Sequence, residues 1–195
     1  GPGITRERLD GVLAGFAGKR VLVVGDLMLD EYVWGRVNRI SPEAPVMVVD
    51  VEETTNALGG AGNVANNIQS MGGTAVLTGV VGDDVNGAAI RDHLRKCGGS
   101  PDGVVVAPDR PTTVKTRIVA HSQQVVRVDR EQRGAIGATL LDAVAQFVSD
   151  AVASVDAVLL SDYSKGVLVD GLVRDAIAAA RAAGKPVAAN LKPPR

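Results

Sequence analysis

Four runs of aliphatic residues, each closing on glycine or a polar side chain, constrain this chain more than any other feature. They are Arg20–Gly25, Ala75–Val81 ending at Gly82-Asp83-Asp84, Ala157–Leu160 ending at Ser161-Asp162, and Pro186–Ala189 ending at Asn190. A strand that is apolar at successive positions must be covered on both faces, as in a parallel sheet packed between helices. Helical patterns fall between the runs, at Asn63–Met71, Asn86–Cys97, Ala138–Val152 and Val169–Ala183. The last of these stops at Gly184, with Pro186 just beyond. The alternation predicts βαβ units and an α/β domain. A length of 195 residues suits one such domain, with or without a small appendage. With 46% hydrophobic but only 3% aromatic residues, its core must be aliphatic and alanine-rich.

Two segments break the alternation. Tyr32–Glu53 and Thr113–Asp129 both carry period-2 stretches, and His121-Ser122-Gln123-Gln124 reads as a turn between two strands. They predict half-buried antiparallel strands outside the main sheet, forming a small β lid over residues 31–58 and 111–130. Strand geometry puts Lys115 and Arg117 on one face, with Val114, Thr116 and Ile118 on the other. Arg127 and Asp129 fall together on the returning strand, so one lid face is positive. Trp34, the single tryptophan, is expected to pack or to contact a second copy of the chain. His121 is expected to be exposed.

Charge and cysteine count exclude several classes. A net charge of −1 without a basic run gives no general attraction to nucleic acid or anionic membrane. No apolar run is long enough to cross a bilayer. A lone cysteine permits no internal disulfide, which fits a reducing cytoplasm. Cys97 follows Ile90 and Leu94 at helical spacing, which predicts a buried structural thiol. Two histidines and one cysteine argue against a zinc site. Gly1-Pro2-Gly3 reads as a tag remnant. The end of the chain directly after a strand predicts that part of the domain is missing.

The chemistry gathers at strand ends and at one glycine turn. Gly59-Gly60-Ala61-Gly62-Asn63 leads into a helical stripe of Val64, Ala65, Ile68 and Met71. Such a turn presents bare backbone N–H groups, and the helix dipole favours hydroxyl oxygens or anions there. Asn63 is suited either to capping the helix or to bonding a ligand. In an open α/β sheet, ligands bind beyond the carboxyl ends of the strands. Asp26 with nearby Asp30, Asp83, Asp162 and Asn190 would converge on that rim. Asp83 and Asp84 read as caps of the following helix, and Asp30, beside the lid entrance, as a ligand contact.

These residues resemble the ribokinase-like, or phosphofructokinase-B, sugar kinases. The resemblance is carried by Gly25-Asp26-Leu27-Met28-Leu29-Asp30, by Ile40-Ser41-Pro42-Glu43-Ala44-Pro45-Val46 and by Gly59–Asn67. It continues through Thr113–Arg117, Gln123–Asp129 and Leu160–Gly166, and spans about residues 20–192. The Ser-Pro-Glu-Ala-Pro-Val run is similar to that of bacterial heptose 7-phosphate kinases. The resemblance implies a three-layer sandwich with a mainly parallel sheet and a β lid, its C-terminal part lying outside this chain. It implies that Asp30, Gly59, Gly60 and Asn63 hold sugar hydroxyls. Lys115 and Arg117, supported by Arg127, would face a substrate phosphate, with Gln124 and Asp129 orienting them. Asp162, Lys165, Asn190 and Lys192 would lie near phosphoryl transfer. The implied reaction uses ATP and Mg2+ to phosphorylate the anomeric hydroxyl of a sugar phosphate, D-glycero-D-manno-heptose 7-phosphate, on the way to ADP-heptose. The implied assembly is a homodimer through the lid.

Two departures accompany the resemblance. The family's Gly-Ala-Gly-Asp motif, which carries the catalytic base and the anion hole, has no counterpart here, so no catalytic base and no metal ligand is assigned within this chain. Asn190-Leu191-Lys192 stands where close relatives have Asp-Pro-Lys. Three alternatives remain at this level: a non-catalytic sugar-phosphate-binding half-domain, a kinase for another sugar, and a dinucleotide-binding module. The last rests on Gly60-Ala61-Gly62-Asn63-Val64-Ala65 with Asp83 at a suitable distance.

Overall fold

The computed structural model describes residues 5–192, so the tag-remnant reading of the first three residues lies outside it. The elements run α1 (Arg6–Ala14), β1 (Arg20–Gly25), β2 (Leu27–Ile40), β3 (Met47–Gly60), α2 (Ala61–Ser70), β4 (Thr74–Gly82), α3 (Val85–Lys96) and β5 (Val104–Ala107). They continue with β6 (Val114–Ala120), β7 (Gln123–Arg130), α4 (Ala138–Ala151), β8 (Ala157–Ser161), α5 (Asp170–Ala182) and β9 (Val187–Asn190). Five strands form a parallel sheet in the order β5-β4-β1-β8-β9.

The continuous apolar runs are explained by what covers them. On one face Leu22, Val24, Val158 and Leu160 pack with Val144 and Val148 of α4 and Leu172, Ala176 and Ala180 of α5. On the other, Val23, Leu77 and Val81 pack with Ala61, Ala65 and Ile68 of α2 and Ile90 and Leu94 of α3. This is the predicted α/β three-layer arrangement. Leu22, Val23 and Val24 are each fully buried although they alternate between the two layers. Burying one such side chain contributes roughly 1.5–3 kcal/mol, so the alternation of strand and helix is enforced from both sides.

Two elements escaped the sequence reading. Helix α1 buries none of its residues, so it has no strong apolar stripe to detect. Strand β5 is four residues long and pairs only with the end of β4, at Gly79–Gly82. Cys97 corrects an expectation: it is exposed. It caps the C-terminus of α3, and Gly98 at φ 80° turns the chain away directly after it, so the buried face of the helix ends at Leu94.

The lid is a four-stranded sheet in the order β3-β2-β6-β7. Its outer pairs are antiparallel as expected, but β2 and β6 pair in parallel, with Asp30 opposite Lys115 and Tyr32 opposite Arg117. The hairpin turn is tighter than predicted. His121 and Ser122 take positive φ of 49° and 63°, while Gln123 and Gln124 already belong to β7. Two left-handed residues in succession suit a two-residue hairpin loop. The lid is also rooted in the core, because Leu27, Met28, Leu29 and Leu58 are buried before β2 and β3 emerge into solvent.

Candidate functional site on the seam between lid and sheet

The glycine turn closes the base of the seam. Gly60 is the N-cap of α2 with φ 58°, and a side chain there would meet the Asp26 carbonyl oxygen at 2.3 Å. Gly59 is buried, and a Cβ on it would stand 2.8 Å from Asp30 Oδ2. Gly59 therefore lets backbone approach the Asp30 carboxylate, and Gly60 lets it approach the Asp26 carbonyl. The first amide of α2 is already used, since Ala61 N donates to the Asp26 carbonyl at 2.9 Å. Asn63 is exposed in the first turn and forms no cap, a role taken by Gly60 without a side-chain bond. Because the turn follows an antiparallel lid strand rather than a buried parallel one, the geometry of a dinucleotide fingerprint is absent here.

Asp30 and Arg117 form the next layer. Arg117 Nη1 donates to Asp30 Oδ1 at 2.7 Å, and its guanidinium lies 5.3 Å from the centre of the Tyr32 ring. Desolvation pulls the Arg117 pKa down, but the Asp30 hydrogen bond and charge outweigh it and hold it above its ordinary value. Trp34 stacks on Tyr32 at 5.7 Å and donates to Thr55 Oγ1, so it has a packing role. On the opposite face Thr116 donates to Glu31 Oε2 at 2.7 Å.

Farther along the hairpin, Asp129 sits between two cations. Lys115 Nζ reaches its Oδ2 at 2.9 Å, and Arg127 Nε reaches its Oδ1 at 2.8 Å. Lys115 first, and Arg127 after it, hold the Asp129 carboxyl below the usual carboxylate range. These three residues line an open pocket of about 390 Å³ with Glu131, Arg133, Tyr163, Ser164 and Lys165. Arg117 is not on that wall, being turned toward Asp30. Gln124 lies at the exposed hairpin tip opposite Val119 and, among the described residues, makes no hydrogen bond to Lys115 or Arg117.

The loop after β8 supplies the remaining wall. Asp26 is fully buried; its Oδ2 accepts from the backbone N–H of Tyr163 and Lys165 at 2.8 and 3.0 Å, and its Oδ1 from that of Val167 at 3.1 Å. Burial pushes the Asp26 carboxyl up, against the pull of those three bonds. Asp162 accepts from Ser164 N at 2.7 Å and Lys192 N at 3.0 Å, so both its oxygens serve backbone. The Asn190 carbonyl accepts from Asp162 N, and the Asn190 and Lys192 side chains are exposed. Asp84 is the N-cap of α3, bonding Gly87 N and Thr112; no cap bond is seen for Asp83 among the described residues.

Three site residues were missed at the level of sequence. Asp26 was noted only as one strand-end acid, although it ties the glycine turn to the β8–α5 loop. Glu131 continues the Arg127–Asp129 period by one more step, directly after the last residue of β7. Arg110 donates to the carbonyls of Gln132, Gly134 and Lys165, contacts that no local pattern announces.

The chain is 54% identical over 173 residues to the bifunctional protein HldE of Caulobacter vibrioides, a match covering 88% of this chain and 35% of that protein. It is 43% identical over 187 residues to the bifunctional protein HldE of Geobacter metallireducens, covering 96% and 38% respectively. The chain thus spans little more than a third of the length of these relatives. Arabidopsis thaliana ribokinase, solved with ribose and ATP, shares the fold with a TM-score of 0.60 at 18% identity, over 88% of this chain and 53% of that one. No helix among the described residues is long and apolar enough to cross a membrane. The model of the pfkB family carbohydrate kinases matches residues 19–195, and the chain belongs to that family.

Proposed function

We propose that this chain is the sugar-phosphate-gripping portion of an ATP-dependent heptose kinase. The whole enzyme would phosphorylate the anomeric hydroxyl of D-glycero-D-manno-heptose 7-phosphate, giving the 1,7-bisphosphate that leads to ADP-heptose. The observation that carries the reading is one of adjacency. A rim made of the Asp30 carboxylate and the backbone of Gly59 and Gly60 lies next to a pocket walled by Lys115, Arg127 and Lys165. A sugar bearing both free hydroxyls and a phosphate needs those two surfaces side by side. Among the described residues, the ion-pair partners of Lys115, Arg127, Arg133 and Lys165 in and around the pocket are Asp129 and Glu131, which leaves positive charge for a phosphate dianion. The identity to the HldE proteins supports the heptose over other sugars.

Kinases of this family use ATP with a divalent metal. The described residues do not form a metal site by themselves. Both Asp162 oxygens are bonded to backbone, Asn190 offers an amide, and no trio of His, Cys, Asp or Glu is grouped to hold an ion. This chain's own part is to bind and orient the sugar and keep water from it, since phosphoryl transfer depends mainly on positioning and charge neutralisation. The catalytic base is assigned to no residue of this chain. The enzyme would act in the cytoplasm as a homodimer through the lid, whose exposed apolar side chains Val51, Val126 and Val128 suit a second copy.

The test is a phosphorylation assay on the full-length protein containing this chain, with heptose 7-phosphate, the unphosphorylated heptose, ribose and fructose 6-phosphate. Turnover should favour heptose 7-phosphate, and the isolated 195-residue chain should be inactive. Equal turnover of the unphosphorylated heptose would overturn the phosphate reading.

A further inference from the structure

One carboxylate joins the lid to the body of the molecule within the pocket. Glu131, only about 10% exposed, follows the last residue of β7. Its buried Oε2 stands against Lys165 Nζ, with Lys115 Nζ 4.0 Å away, and its Oε1 lies 3.4 Å from Arg133 Nε. With Lys165 against it and Lys115 on the lid side, Oε2 serves as a shared counterion. The two lysines come from different parts of the fold. Lys115 is on lid strand β6. Lys165 is in the β8–α5 loop, its N–H bonded to Asp26 and its carbonyl to Arg110 Nη2 at 2.9 Å. Lys165 is the first influence holding the Glu131 carboxyl below its ordinary range, so the bridge is charged at neutral pH.

Two ammoniums on flexible four-carbon stems repel one another and move apart into solvent unless an anion lies between them. We propose that Glu131 is a positioning residue that holds Lys115 of the lid and Lys165 of the core together on one pocket wall, prearranged for an anionic substrate group. The inference rests on reading this pocket as the phosphate-binding part of the site. Glu131 itself need not touch the substrate. Its removal has two opposed effects: the pocket gains net positive charge, and the two cations lose their common register. The second outweighs the first, because an ammonium that has drifted into solvent no longer stands where the anionic group binds and must be ordered again on binding.

The experiment compares Glu131→Gln and Glu131→Asp with the wild-type full-length kinase. Glu131→Gln should raise KM for the phosphorylated sugar roughly tenfold, with kcat and KM for ATP within about twofold of wild type. Glu131→Asp, which keeps the charge, should recover part of the loss. In the ligand-free protein, acetylation of Lys115 and Lys165 by acetic anhydride, followed by peptide mass spectrometry, should accelerate at both lysines together in Glu131→Gln. Unchanged labelling overturns the proposal, as does an unchanged sugar KM or an equal rise in KM for ATP. If wild type does not prefer the phosphorylated sugar and Lys115→Met is silent, the phosphate reading fails instead. Labelling then decides the bridge alone, with joint acceleration retaining it and independent rates removing it. If Glu131→Gln does not fold, Glu131→Asp carries the same readouts at smaller amplitude.

Discussion

Arg117 reaches across the parallel seam of the lid to Asp30, Nη1 to Oδ1 at 2.7 Å, with both side chains about one fifth exposed. The pair fixes a carboxylate that the glycine turn leaves open to a ligand. In a double-mutant cycle of Asp30→Asn and Arg117→Met, the stability coupling should be about 1 kcal/mol, the upper end for a partly solvated pair. Asp30→Asn should also raise KM for the sugar at least tenfold, because a hydroxyl partner is lost in the bound state. Zero coupling in urea unfolding would mean that the pair does not orient Asp30.

Gly60→Ala places a methyl group 2.3 Å from the Asp26 carbonyl oxygen at a φ of 58°. Left-handed strain and that clash together should cost roughly 2 kcal/mol or more. Denaturant titration of the full-length protein checks this, and a midpoint equal to wild type refutes it.

Asp26→Asn removes the desolvated charge but leaves one oxygen where two now accept the Tyr163, Lys165 and Val167 N–H groups. At least one buried donor loses its acceptor, which costs about 1–3 kcal/mol. The sign with pH is opposite to that of an ordinary paired acid. The folded-state pKa is raised, so the titration of Asp26 favours folding below its ordinary value of 3.8, and this contribution is lost as pH rises through the folded value. A loss of stability in Asp26→Asn at neutral pH shows that the three bonds matter more than burial of the charge. A stabilised variant would reverse that order.

Asp129 and Glu131 titrate the other way. Lys115 lowers the first from an ordinary 3.8, and Lys165 the second from an ordinary 4.5. Their stabilisation is present above those values and is lost as pH falls through the lower folded ones. Urea midpoints measured from pH 7 to pH 3 should therefore fall on the acid side in wild type. The Asp129→Asn/Glu131→Gln double variant should flatten that limb. An acid limb of unchanged slope would assign the loss to other groups.

Strands β1, β4, β8 and β9 of the main sheet were readable because each has a run of consecutive apolar residues, and β1 begins and ends where its pattern does; the short edge strand β5 was not. The ends of α2, α3, α4 and α5 followed from glycine, proline or loss of the stripe to within one or two residues, whereas α1 carries no such stripe. The lid was readable only as alternation. Period 2 places Lys115 and Arg117 on one face, but it carries nothing about which strand lies beside which, so the parallel β2–β6 seam and the Asp30–Arg117 bond were hidden. Partners far apart in sequence were hidden for the same reason. Asp26 bonds a loop 137 to 141 residues away, and neither end of that contact marks the other. Cys97 misled because helical spacing was extended past the point at which the helix stops.

Strand β2 starts inside the hydrophobic interior at Leu27 and ends in solvent at Ile40, and β3 retraces that course to Gly60. The lid is thus a lever whose fulcrum is set among packed side chains. Asp30 and Gly59 lie beside the pivot and would scarcely travel when the arm tilts, whereas the hairpin tip at His121–Ser122 would sweep the widest arc. A chain hinged in this way would keep its grip nearest the hinge in place while its entrance opened and shut.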